Sequence, residues 1–142
     1  MSNASSASAG AIPLIGRILL AVPFILSGVG KLAAPAATQG YIAAMGVPAP
    51  VLAYVAALIV ELGFAAFLLV GYRTRIAALV LAAFTIAAGL IFHNNFADQN
   101  QFIHFMKNVM LAGGLLQVVA FGAGVLSLDN RVAVKNGALR PV

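Results

Sequence analysis

Four long apolar runs, separated by short polar punctuation, dominate the chain at about residues 12–33, 51–71, 76–93 and 106–126. At 1.5 Å per residue, each is long enough for a helix to cross a hydrocarbon layer about 30 Å thick. Between the first and second runs lies Ala34–Pro50, punctuated by Pro35, Gly46, Pro48 and Pro50. Its middle predicts a short interfacial helix with Tyr41, Ile42 and Met45 on one side, closed by Gly46. The turn Gly71–Arg75 is so brief that the second and third helices must be antiparallel neighbours. The polar segment 94–104 predicts a surface loop before the fourth helix. Residues 1–11 are small and polar without periodicity and predict a disordered tail. The expected fold is all-α: one four-helix transmembrane domain over 12–128, followed by a basic tail over 129–142.

Composition turns this pattern into a class. Of 142 residues, 63% are hydrophobic and only 8% charged, and the mean hydropathy is +1.05. A soluble domain carries about 25% charge, so the bilayer is the environment and little mass remains outside it. The net charge of +5 would suggest nucleic acid in a soluble protein, but these charges lie at helix ends and report topology. With no cysteine, disulfides, thiolate metal sites and covalent haem attachment are excluded. No phosphate-binding loop, serine-hydrolase elbow or zinc-protease motif is present.

With four spans, the N-terminus, the 71–75 turn and the C-terminal tail share a side and hold Arg17, Arg73, Arg75, Arg131, Lys135 and Arg140. The other side has Lys31 and Lys107. The positive-inside rule then predicts a multi-pass inner-membrane protein with both termini cytoplasmic. A cleaved signal peptide fits poorly, because the charge of the first run is a single Arg inside it and Lys31 immediately precedes Ala34-Pro35-Ala36.

Candidate chemistry centres on Glu61, the lone charge of the second run and close to its midpoint. An ionised residue there costs roughly 2.5–3.5 kcal/mol to insert, so it needs a partner, a proton or a use. Counting helical rise places Arg17 about 8 Å and Lys31 about 13 Å from the level of the first helix's midpoint, on opposite sides. Arg17 is therefore the expected ion-pair partner, sharing a face with Phe24 and Lys31. The pair either fixes helix register or handles a proton or ligand. Lys31, His93, Lys107 and Asn108 approach the other membrane face and are candidate ligand-binding residues, with His104 nearby. Snorkelling lysines and interfacial histidines are the plainer explanation of the same pattern. A bis-histidine haem or metal site is disfavoured, since no carboxylate or Cys lies at ligand spacing. Gln117 inside the fourth run predicts a hydrogen bond to a neighbouring helix, and Phe24, Tyr54, Phe64, Phe67, Phe84 and Phe121 are more readily packing or lipid contacts than a pocket.

The ordered set of short motifs resembles the DoxX family of small four-helix membrane proteins. It comprises Arg17, Phe24 and Ser27-Gly28-Val29-Gly30-Lys31-Leu32; Gly46-Val47-Pro48-Ala49-Pro50; Glu61 and Leu68-Leu69-Val70-Gly71-Tyr72-Arg73-Thr74-Arg75; His93; Phe105-Met106-Lys107-Asn108 and Ala112-Gly113-Gly114-Leu115-Leu116; and Leu126-Ser127-Leu128-Asp129. The resemblance covers about residues 12–131. It implies the four-helix fold and an association with quinone-linked and redox membrane complexes, and it carries over Arg17, Lys31, Glu61, Arg75 and Lys107 as charged positions without roles.

The leading expectation is a redox-linked subunit that holds a quinone or similar apolar ligand near Glu61 and Arg17. Whether it is an oxidoreductase in its own right stays open, as no self-contained catalytic motif is present. The rival is a non-enzymatic membrane scaffold for other proteins, and a weaker third is passage of a small solute or proton. Expected partners are the bilayer, membrane or soluble redox proteins and further copies of the chain, but not nucleic acid.

Overall fold

The computed structural model describes residues 2–137, and among them every element is helical. The helices are α1 (Ser2–Ala33), α2 (Pro35–Ala44), α3 (Pro50–Val70), α4 (Thr74–Phe92), α5 (Gln99–Phe121) and α6 (Leu128–Lys135). Gly10–Ala33 of α1 together with α3, α4 and α5 are the four segments long and apolar enough to cross a membrane. Their outer faces carry exposed Leu19, Leu26, Leu52, Ile59 and Met110, as helices solvated by lipid tails do.

Several boundaries differ from the expected ones. Helix α1 starts at Ser2, taking in most of the segment read as a disordered tail; alanine has the highest helix propensity, and neither glycine nor proline interrupts the sequence before Gly10. The polar segment read as a loop supplies the first turns of α5, because the Asp98 carboxylate accepts hydrogen bonds from Asn100 N (2.8 Å) and Gln101 N (3.0 Å) and caps that helix. At its other end α5 stops at Phe121, earlier than expected, where Gly122 takes φ +84°. The basic tail contains α6, capped by Ser127; Arg140 lies outside the described residues. The predicted short helix between the first two spans is α2.

Helices α1 and α3 run antiparallel in a readable register. Arg17 lies against Leu68 and Leu69, Gly28 against Glu61 and Leu62, and the Tyr54 hydroxyl donates to Lys31 O (3.3 Å). A Cβ on Gly28 would come within 2.7 Å of the Leu62 side chain, so glycine sets the helix separation at that level. In the core, Ala77, Ala78 and Ala82 of α4 are almost wholly buried beside Leu68, Leu81 and Leu115, the close approach that small residues permit.

Candidate functional site

Helix α3 is not uniformly α-helical. Residues Ile59–Phe64 form a π-helical turn, and Glu61 lies within it. Such a wider turn accommodates an extra residue and alters which face its side chains present. Glu61 is 4% exposed. Its Oε1 accepts from Lys31 Nζ at 2.8 Å and from Ser27 Oγ at 3.0 Å, and Lys31 Nζ also donates to Ser27 Oγ at 2.8 Å. Glu61 Oε2 is buried and has no hydrogen-bond partner.

The expected partner was Arg17, and the structure corrects that. In the α1–α3 register Glu61 lies level with Ser27 and Gly28, about ten residues and hence about 15 Å along the helix from Arg17. Lys31 is one turn beyond Ser27, and its flexible stem folds back to the carboxylate. The two spans are offset, so Glu61, near the middle of α3, lies level with Ser27 and Gly28 and not with the middle of the spanning part of α1.

Arg17 instead organises the opposite end of the bundle. It is 1% exposed; its Nη1 donates to Leu68 O (3.2 Å) and Leu69 O (2.9 Å), and its Nη2 donates to Leu126 O. It thus ties the end of α3 to the segment entering α6. Gly71 follows with φ +72°, where a Cβ would fall 2.5 Å from both Arg17 Nη1 and Ser127 Cβ. Asp129 completes the knot: its carboxylate accepts from Arg73 N (2.7 Å) and Thr74 N (2.8 Å), and its own N–H donates to Gly71 O (2.8 Å). A carboxylate at the N-terminus of α4 satisfies donors that the helix leaves open and complements its dipole, offsetting the left-handed backbone of Arg73 at φ +44°.

Glu61 lies on the wall of a cavity of about 810 Å³ bounded by α1, α2, α3, α4 and α5. Phe24, Ala57, Val60, Phe84 and Phe92 make much of the wall apolar, and Ser27, Lys31, Glu61, Thr85, His93 and Asn108 supply its main polar groups. Thr85 Oγ1 donates to Asn108 Oδ1 (2.8 Å), and Asn108 Nδ2 donates to His104 O (3.1 Å). His93 Nδ1 lies 2.8 Å from Gln101 Oε1, and its ring stacks on His104 with centroids 5.0 Å apart. Tyr41 of α2 stacks on Phe92 of α4 at 5.5 Å, closing α2 over the hollow.

The structure therefore brings four sequence candidates together, Glu61, Lys31, His93 and Asn108, and leaves Arg17 and Lys107 off the cavity wall. Lys107 is exposed: adjacent to Asn108, it points about 100° away around the helix. Gln117 also faces outward, and among the described residues it makes no side-chain hydrogen bond to a neighbouring helix. Of the aromatic residues, Phe24 and Phe84 line the cavity, whereas Phe121 is 80% exposed. Sequence reasoning missed Ser27, Thr38 and Tyr41 as wall residues; Ser27, four residues before Lys31 and so on its face, carried a usable signal.

Four apolar spanning helices around an off-centre cavity with an internal ion pair define a small multi-pass membrane protein. The DoxX family model matches residues 12–94, and the chain belongs to that family. It is 40% identical to the inner membrane protein YqjF of Escherichia coli (strain K12), over 82% of this chain and 88% of that protein. It is 33% identical to the inner membrane protein YphA of the same organism, over 83% of this chain and 88% of that one. No solved structure matches the chain. The protein is thus a DoxX-family, multi-pass inner-membrane protein.

Proposed function

We propose that the cavity binds a lipid-soluble small molecule with a polar head, of the quinone class or similar, and that the protein serves as a redox-linked subunit through it. The observation that carries this reading is a hollow of about 810 Å³ inside the bundle with a lysine–glutamate pair on an otherwise largely apolar wall. Ligand pockets of about 300–1,000 Å³ typically combine such walls with a few placed polar groups. Glu61 and Lys31 hold the head, Ser27 orients the carboxylate, and Asn108 and His93 supply further polar contacts. Arg17, read from sequence as a member of the site, is assigned to architecture. The excess of Arg and Lys at the end bearing Arg17, Arg73, Arg75, Arg131 and Lys135, against Lys31 and Lys107 at the other, supports cytoplasmic termini. A short-chain quinone analogue should raise the melting temperature of the protein in nanodiscs, and Glu61→Gln should diminish the rise in protein that remains folded. No rise in the native protein would overturn the reading.

A second reading, a scaffold for other proteins, is favoured by α6, which the knot holds at the end of the bundle with Arg131 and Lys135 exposed. Loss of a stoichiometric co-purifying partner on Arg131→Glu/Lys135→Glu, with the fold intact, would support it.

A further inference from the structure

Within the spanning helices Ser27, Thr85 and Asn108 find hydrogen-bond partners in the chain, whereas the Gln117 side chain is exposed and, among the described residues, bonds to nothing. Its depth makes that costly. Helices α4 and α5 run antiparallel with Gly89 opposite Asn108, where a Cβ on the glycine would lie 3.2 Å from Asn108 Cβ. Counting along α5 from there puts Gln117 level with Val80, about 5 Å from the middle of α4 and about 10 Å below the nearer edge of a hydrocarbon layer about 30 Å thick. A carboxamide at that depth has no water to bond with.

The surface around it is open as well. Of the four spans α5 is the least covered by its neighbours, with 11% of its apolar stretch buried against 22%, 28% and 33% in the others. Met106, Val109, Gly113, Leu116 and Ala120 are all exposed on it. Their alternating steps of three and four form one seam, of the kind along which membrane helices pack at shallow crossing angles. Gln117 flanks that seam, beside Leu116 and one turn from Gly113. A Cβ on Gly113 would meet nothing within 4 Å in the chain, so the glycine leaves room there for a second backbone.

We propose that this face of α5 is a symmetric interface with a second copy of the chain, in which the two Gln117 amides hydrogen-bond to each other across a two-fold axis. A carboxamide carries both donors and an acceptor, so its own twin satisfies it completely. Copies inserted in one orientation present their α5 helices in parallel, and each seam residue then meets its counterpart at the same depth. A second copy therefore supplies the matching amide at the required level by construction, which a different protein would have to provide separately.

The chain has no cysteine, so a single introduced thiol reports contacts between copies alone. Met106→Cys puts one on the seam, and Leu52→Cys puts one on exposed α3 at the same end of the bundle. Oxidation in native membranes should join Met106→Cys into dimers and leave Leu52→Cys monomeric. Single-molecule photobleaching of the full chain in liposomes should then show dimers whose dissociation constant rises about three- to thirtyfold on Gln117→Leu. That substitution makes an exposed spanning face more apolar, so the protomer stays folded, with a melting temperature no lower than that of the native chain. A native chain that stays monomeric, a Gln117→Leu chain that associates as tightly as the native one, or dimers formed by Leu52→Cys in place of Met106→Cys would each overturn the inference. So would a Met106→Cys adduct with a different polypeptide in place of the dimer, which gives the face to another protein.

Discussion

The bundle buries one charge at its terminal end, Arg17, and another near the middle of α3, Glu61, and treats them differently. At the terminal end, Arg17 spreads its guanidinium over three backbone carbonyls from two segments, and Asp129 caps a helix that begins 55 residues earlier in the chain. Backbone groups are fixed in place, so this arrangement defines one geometry and leaves little space around it. Around Glu61 the partners are side chains, one carboxylate oxygen is unmet, the helix is widened to a π turn, and the wall is hollow. A buried charge is therefore no guide to function by itself. What separates a tie from a site here is what surrounds the charge: fixed backbone carbonyls of two segments for Arg17, side chains on a cavity wall for Glu61.

Substitutions that cross this divide should act on different observables. Arg17→Ala should have the largest effect, costing about 3 kcal/mol or more by baring the carbonyls of Leu68, Leu69 and Leu126; thermal unfolding in detergent would show it, with ligand affinity of the folded fraction unchanged. Asp129→Ala removes the cap on α4 and should cost about 1–2 kcal/mol, again without altering affinity. Glu61→Gln should do the reverse, weakening binding of a quinone analogue about tenfold, or about 1.4 kcal/mol, while stability moves less than in Arg17→Ala, because Lys31, its side chain 24% exposed, can turn its ammonium to the interface. The smallest effect belongs to Tyr41→Ala, which removes the stack on Phe92, worth about 0.5–1.5 kcal/mol. It should speed ligand release a few-fold and leave unfolding of the spanning helices nearly unchanged. A Tyr41 variant that lost the whole fold would remove the distinction between wall and tie.

The spanning helices were legible in the sequence because hydrocarbon leaves backbone groups no partners but their own, so every span shows as an apolar run. Family membership was legible too, from short motifs in order along the chain. Glu61 stood out for the same reason as the spans, as a charge where charges are expensive. Its partner did not, because Arg17 and Lys31 share a helical face and only the α1–α3 register, set by Gly28 and the π turn, separates them. Asp129 was visible as part of a motif but not as a cap, since the helix it caps is distant in sequence. The role of α2 as a cavity wall was hidden as well: its apolar side predicts a surface helix equally well whether it lies over lipid or over a hollow.

The most direct measurement is photo-crosslinking with an azido-quinone probe in nanodiscs, with labelled positions located by mass spectrometry. The account predicts that label concentrates on cavity-wall residues of α1, α3 and α4, such as Phe24, Ala57 and Phe84, and is displaced by excess of the same quinone without the azido group. Label spread over lipid-facing residues such as Leu52, Met110 and Phe121 and indifferent to competition would contradict it.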